Sequence, residues 1–316
     1  MFEQIAGILH VDWVVLQRAT TTWLNGGNPY AALGGPHDPH PFAGAFAYPP
    51  FALTWLCLFT PLGKAGFWVW SALELCGWWL LVRRTRPGQI ALLMWSPVIV
   101  HLLLGQSTLA VVLALWAAYE IPAEKRINWA RGALLAFALT KPQTALLPLL
   151  WLLYNERRGE HRSTLWAGLL GTFALLCLPP TLRDPGIWTK WLAALSGYQS
   201  HQQFQTLWRG WGLVTLPVVL LLWSRQWRAE PDRQWQKNPW PWLLTIALFP
   251  QAAVYSSVTL LPAIRPRSGY AALGGLAVSS VLISPITALT QPLFFSGHLL
   301  AGWLMNGGFA ARGRAG

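Results

Sequence analysis

Apolar runs follow one another along most of this chain, at 51–62, 66–82, 89–104, 107–121, 129–140, 143–154, 163–180, 211–224, 239–262, 269–284 and 292–305. Only 11% of the residues are charged and 54% are hydrophobic, whereas a soluble globular domain carries about 25% charge. The chain therefore reads as a polytopic, all-α membrane protein. Several runs are short of the roughly 20 residues that cross a full hydrocarbon core, so they either pair into longer helices or end inside a water-filled cavity.

A net charge of +12, from 23 basic against 11 acidic residues, would point to nucleic acid in a soluble protein. Here the basic residues sit mostly in short loops between apolar runs, where they set topology and meet anionic lipid headgroups. Nucleic acid is excluded as a partner on that ground. The 22 Trp residues fit many helix ends at membrane interfaces, where an amphipathic ring is favoured. Cys57, Cys76 and Cys177 lie inside apolar segments, without the spacing of a disulfide framework or a zinc site.

Residues 2–11 contain Glu3 and are too short to span a bilayer. From Asp12 to about Leu24, Val15, Leu16, Ala19 and Trp23 recur at helical spacing before Gly26-Gly27, which predicts an amphipathic interfacial helix. A turn-rich stretch follows, from Asn28-Pro29-Tyr30 to Tyr48-Pro49-Pro50. The chain can then be threaded by charge, because Lys and Arg favour the cytoplasmic side. If 51–62 dips in and returns, 143–154 crosses alone, and 239–262 is broken at Pro250, seventeen basic residues fall inside: Arg83, Arg84, Arg86, Lys125, Arg126, Arg131, Arg157, Arg158, Arg162, Arg225, Arg228, Arg233, Lys237, Arg265, Arg267, Arg312 and Arg314. Arg18, Lys64, Lys141, Arg183, Lys190 and Arg209 remain outside or at cavity depth. If 51–62 spans instead, the clusters at 83–86 and 125–131 move outside, so charge favours the first threading. It places a first outer loop at 12–50 and a late one at 181–210. It also gathers Asp12-Trp13, Gly27-Asn28-Pro29-Tyr30, Tyr48-Pro49-Pro50, Gly105-Gln106-Ser107 and Thr140-Lys141-Pro142-Gln143 on the non-cytoplasmic face. Short helices beneath them leave a funnel suited to a lipid-linked substrate, whose tail stays in the bilayer while its head reaches water. With no internal repeat and no linker, residues 1–316 form one domain.

Few residues in these outer segments could carry chemistry. Asp12 is either the N-cap of its helix or a general base at the water–membrane boundary. Lys141 follows a long apolar stretch and precedes Pro142; it either snorkels to the interface or clamps a phosphate. Arg209 and Lys190 are weaker candidates for the same work. His201, in Tyr198-Gln199-Ser200-His201-Gln202-Gln203, is a solvated loop residue or a contact for a sugar. Asn28, Tyr30, Tyr48, Gln106 and Gln143 complete the candidate substrate-binding set. Glu74, mid-run, is a functional residue by default, or a carboxyl kept protonated or hydrogen-bonded to a neighbouring helix. His37 and His40 flank a Pro-broken loop, and no metal site is expected from them. No phosphate-cradling glycine loop or nucleotide fingerprint is present, which argues against a soluble nucleotide-sugar donor. A lipid or glycolipid transporter or flippase would use a similar funnel, but calls for internal repeats and polar residues on both sides of the midplane.

The ordered set Asp12-Trp13-Val14-Val15, Gly27-Asn28-Pro29-Tyr30, Tyr48-Pro49-Pro50-Phe51, Gly105-Gln106 and Lys141-Pro142-Gln143 resembles the GT-C polyprenyl-phosphate-sugar glycosyltransferases. It is most similar to glycosyltransferase family 87, bacterial mannosyltransferase-like membrane proteins, over about residues 12–265. The resemblance implies a GT-C-like bundle of about nine to eleven membrane helices, several short or re-entrant, with amphipathic outer-loop helices. Further, it implies transfer of a hexose, mannose by the family's habit, from a polyprenyl-phosphate sugar to a lipid or glycan acceptor, with inversion, at the periplasmic face of a bacterial inner membrane. No cofactor is required by that chemistry. Asp12 matches the family's catalytic base, and Lys141-Pro142 its mid-chain Lys-Pro; Gln199-Ser200 matches its late polar stretch loosely. At Phe249-Pro250-Gln251-Ala252-Ala253-Val254-Tyr255-Ser256 members commonly carry a His pair or Tyr-Asp, whereas here Tyr255 precedes Ser256. Members also have a membrane helix before the Asp, so the resemblance implies either sequence upstream of Met1 or a shortened variant. A degenerate member that binds lipid-linked sugar without turnover is the remaining alternative.

Overall fold

The computed structural model of the chain describes residues 10–31, 46–85, 92–201, 212–229, 234–248, 254–264 and 291–306. Among them there are twelve α-helices and no strand. In chain order these are α1 (Val11–Leu24), α2 (Ala52–Leu56), α3 (Ala65–Thr85), α4 (Ser96–Leu104), α5 (Thr108–Glu120), α6 (Lys125–Ala138), α7 (Pro142–Glu156), α8 (Arg162–Arg183), α9 (Ile187–His201), α10 (Gly212–Arg228), α11 (Trp240–Leu248) and α12 (Gln291–Met305).

Two helices, Ala65–Arg83 within α3 and Arg162–Arg183, are long and apolar enough to cross a membrane. Among the described residues the remaining helices are shorter or less apolar, so the all-α class holds, while of the expected nine to eleven membrane helices, several short or re-entrant, these two reach spanning length. Gly105 ends α4 in the left-handed conformation, Pro142 starts α7, and α5 runs for only 13 residues. The run 51–62 folds as the five-residue α2 and a 3-10 turn at Thr60–Leu62. The stretch 181–210, read as a loop, contains the 15-residue α9. The run 269–284 and the break at Pro250 lie outside the described residues. On α3 and α8 the outward faces are apolar, with Trp68, Leu73, Trp79, Leu170, Leu175 and Leu182 exposed, as a helix facing hydrocarbon requires.

Two apolar cores result. The larger joins α5 with Leu135, Leu149, Leu165, Trp223, Trp242 and Trp303 from the surrounding helices. A smaller, aromatic-rich core packs Trp13, Leu16 and Ala19 of α1 against Leu53 and Trp55 of α2, Phe67 and Trp70 of α3, and Ile187 of α9. Its rings interlock: Trp55 stacks on Trp70 at 4.8 Å, and Trp13 on Trp70 at 6.2 Å.

α6 and α8 approach so closely that no side chain fits between them. A Cβ on Gly132 would lie 2.2 Å from the Leu165 carbonyl oxygen, and one on Gly168 would lie 2.0 Å from that of Trp129. At one end of this pair Arg131, itself buried, donates to Glu156 and Asn128 at 2.8 Å each and to the Ala118 carbonyl at 2.9 Å. Asn128 in turn donates to the His161 carbonyl at 2.8 Å. Lys125, Arg126, Arg157, Arg158 and Arg162 flank that end in sequence. From there α6 runs toward Lys141, which follows it in the turn before α7, and α8 runs to Arg183 at the opposite end. Arg183 donates to the carbonyls of Trp23 and Leu24, and thereby closes the C-terminus of α1.

Candidate active site

The site is built where the start of α1 meets the end of α4. His10 donates its backbone N–H to the Leu103 carbonyl at 2.9 Å, and its ring lies 3.6 Å from that of Phe67. Gly105 follows with φ 69°, and a Cβ there would sit 2.7 Å from the Cβ of Trp13. Glycine is thus required twice over, for its dihedral and for the contact. This junction sets Asp12 in the first turn of α1, one residue inside the helix. The N-cap position belongs to His10, so the capping reading of Asp12 is overturned. A first-turn carboxylate still gains from the positive end of the helix dipole.

Gln106 is the hub. Its side chain faces the Asp12 carboxylate and favours the ionised form, and its Oε1 accepts from Lys141 Nζ at 3.2 Å and from the Tyr48 hydroxyl at 3.3 Å. Its backbone carbonyl accepts from the Trp70 indole at 3.3 Å. Lys141 Nζ also donates to Thr108 Oγ1 at 2.5 Å and lies 5.8 Å from the centre of the Tyr48 ring. Ser107 donates to the Tyr48 hydroxyl at 2.9 Å. α7 starts at Pro142, so Lys141 occupies its N-cap and projects back toward α4 and α5. The neighbouring Thr140 hydroxyl accepts from the Trp55 indole at 3.2 Å.

Asp12 and Lys141 both lie outside the two long apolar helices. Burial holds the half-buried Asp12 carboxyl above the ordinary carboxylate value, opposed by the Gln106 hydrogen bond and by the charges of Lys141 and His101. The same cause pushes the Lys141 ammonium below the usual amine value, opposed by Asp12 and Glu74. One proton acceptor and one cation are thereby poised in a poorly hydrated setting, each nearer neutrality than it would be in water.

Of the sequence-derived candidates, Asp12, Tyr48, Gln106 and Lys141 come together. Tyr30 stands behind them, donating to the Tyr48 carbonyl at 3.1 Å. Asn28 turns its own loop, accepting the Tyr30 N–H at 3.1 Å. Gln143 is half-buried in the first turn of α7, and no described hydrogen bond joins it to the cluster. Lys190 pairs with Asp184 at 2.6 Å instead of entering the site. His201 ends α9, its side chain outside the described residues; Arg209, His37 and His40 lie outside them altogether. Thr108 and His101 were missed. Thr108 was readable in the Gln106-Ser107-Thr108 break between apolar runs, whereas His101 was one imidazole within an apolar run. Glu74 is buried, 3.2 Å from His101 Nε2. Among the described residues no group of three His, Cys, Asp or Glu side chains is arranged to hold a metal.

The profile of glycosyltransferase family 87 matches residues 46–285. No curated protein and no solved structure matches the chain.

Proposed function

The chain belongs to glycosyltransferase family 87 and is a glycosyltransferase, and from that premise we propose that it transfers a hexose, with mannose favoured, from a polyprenyl-phosphate donor. The acceptor is a hydroxyl of a lipid or glycan at the non-cytoplasmic face of a bacterial inner membrane. The observation that carries the reading is a carboxylate, Asp12, and an ammonium, Lys141, close enough to act on each other beside the Gln106 amide that Lys141 engages. Displacement at an anomeric carbon needs a base for the incoming hydroxyl and a cation for the outgoing phosphate. Asp12 takes the proton of the acceptor hydroxyl as its oxygen bonds to the anomeric carbon. The bond from that carbon to the phosphate oxygen breaks on the opposite face, inverting the centre, and its electron pair leaves with the polyprenyl phosphate. Lys141, aided by Arg209, balances that charge. Tyr48 and Gln106 hold the sugar, and Asn28, Tyr30, Gln143 and His201 contribute further to its binding. The scheme uses no cofactor.

Purified protein in liposomes, given a panel of polyprenyl-phosphate hexoses and membrane lipid extract, tests this by release of polyprenyl phosphate and appearance of labelled product. Release is expected with the mannose donor above the others. Release with another hexose alone would revise the sugar, and no release with any donor would sink the polyprenyl-phosphate reading.

A further inference from the structure

Glu74 is a carboxylate in the middle of α3, a helix otherwise apolar enough to cross a membrane. Such a group is costly unless it is fully engaged, and this one is. Oε1 accepts the backbone N–H of Ala110 at 3.0 Å, in the first turn of α5. Both oxygens lie 3.2 Å from His101 Nε2, on the last turn of α4. His101 Nδ1 has no hydrogen-bond partner, so the ring's polar contacts are all with this carboxylate. The two contacts straddle the Gly105-Gln106-Ser107 turn from opposite sides. One carboxylate thus ties the end of the helix before the turn to the start of the helix after it.

We infer that Glu74 is a positioning residue of the active site, holding the Gln106 turn so that the Gln106 amide can engage Asp12 and Lys141 together. The inference rests on the proposed roles of those three residues. Glu74 itself touches neither Asp12 nor Lys141 directly in the described contacts, and acts through the turn and through its charge. Its charge also reaches Lys141 and favours the ammonium. Among the described residues, the charged or titratable groups seen to act on Lys141 include Asp12 on α1 and Glu74 on α3, with Tyr48 beside it and His101 next to Glu74.

Two consequences separate this role from a merely structural one. In Glu74→Gln the carbonyl oxygen can still accept the Ala110 N–H while the charge is lost, so Lys141 gives up its proton at lower pH. In Glu74→Asp the charge stays but the reach shortens by one methylene, so the turn is displaced while the Lys141 titration holds. A misplacement on this scale costs about 10- to 100-fold in rate.

The test uses the full chain in liposomes with labelled polyprenyl-phosphate mannose, and a parallel measurement of Lys141 acetylation by acetic anhydride against pH, read by peptide mass spectrometry. Glu74→Asp is expected to lose about 10- to 100-fold in kcat, with KM for the donor changed less than about threefold and the acetylation midpoint in place. Glu74→Gln is expected to move that midpoint, and the alkaline limb of activity, to lower pH. Wild-type kcat in Glu74→Asp overturns the positioning role, as does an unmoved acetylation midpoint in folded Glu74→Gln. If Glu74→Gln does not fold, Glu74→Asp alone decides. Should Asp12→Asn and Lys141→Met transfer mannose at the wild-type rate, the site assignment fails and not the Glu74 contact, which the acetylation curve still reads out.

Discussion

On the proposed mechanism, the opposite charges of Asp12 and Lys141 beside Gln106 make activity sensitive to pH from both sides. Asp12 must be ionised to accept a proton, and burial has raised its pKa; activity is therefore lost on acidification at a higher pH than for a solvated carboxylate. Lys141 must be charged to balance the phosphate, and burial has lowered its pKa; activity is lost on alkalinisation at a lower pH than for a free lysine. A kcat/KM profile should be a narrow bell, and a plateau reaching into the range of unperturbed lysine would contradict the role given to Lys141. Asp12→Asn removes the base while keeping the shape of the side chain, and should reduce kcat by about 10²- to 10⁴-fold, measured with the mannose donor at saturation. At Gly105, alanine meets both the left-handed φ and the 2.7 Å approach to Trp13. Backbone strain alone costs roughly 1–2 kcal/mol, so Gly105→Ala should lower the melting temperature in detergent and lose activity together. Asp12, Tyr48, Gln106 and Lys141 were legible in the sequence because each is a polar interruption beside an apolar run. His101 and Glu74 were not readable as a pair, since 27 residues separate them and nothing local couples them. Lys190 misled for the converse reason: an isolated lysine in an outer segment gives no sign that Asp184, six residues earlier, has claimed it.

At the scale of the element, the turn signals were sound and the lengths were not. Gly26-Gly27, Gly105 and Pro142 end or begin helices where expected, and α9 lies within the late outer loop, an outer-loop helix of the kind the resemblance implied but the residues alone did not mark. Its polarity is that of a helix lying against others: Ile187 is buried while Leu192 is exposed, and the Trp191 indole donates to the Ala47 carbonyl at 3.2 Å. Window-by-window apolarity does not register a helix of that kind. The α6–α8 contact makes the firmest stability prediction. Gly168→Ala forces backbone apart, since its Cβ would fall 2.0 Å from a carbonyl oxygen. The cost should reach the upper part of the overpacking range, about 3 kcal/mol, seen as a lowered thermal midpoint in detergent. Gly171→Ala, on the same helix with open space around it, serves as the control and should be neutral or slightly stabilising. Equal effects of the two substitutions would refute the close crossing.

For the whole molecule, the two ends of the α6–α8 pair carry the topology. Exposed Glu160 stands beside the basic end, and exposed Gly186 beyond the far end of α8. In a chain whose three cysteines are replaced by serine, Glu160→Cys should react with a membrane-impermeant maleimide only after cells are permeabilised, and Gly186→Cys in intact cells. The opposite pattern would invert the proposed orientation and put Asp12 on the cytoplasmic side. The clasp of Arg183 on the last carbonyls of α1 adds a mechanical meaning to that topology. α8 has 22 residues, about 33 Å of helix, close to the roughly 30 Å of a hydrocarbon core. Fastened to its tip, α1 is carried at a height set by the bilayer itself. If α8 spans the bilayer as proposed, it works as a depth gauge, and the level at which Asp12 would meet a lipid-anchored hydroxyl is referenced to membrane thickness.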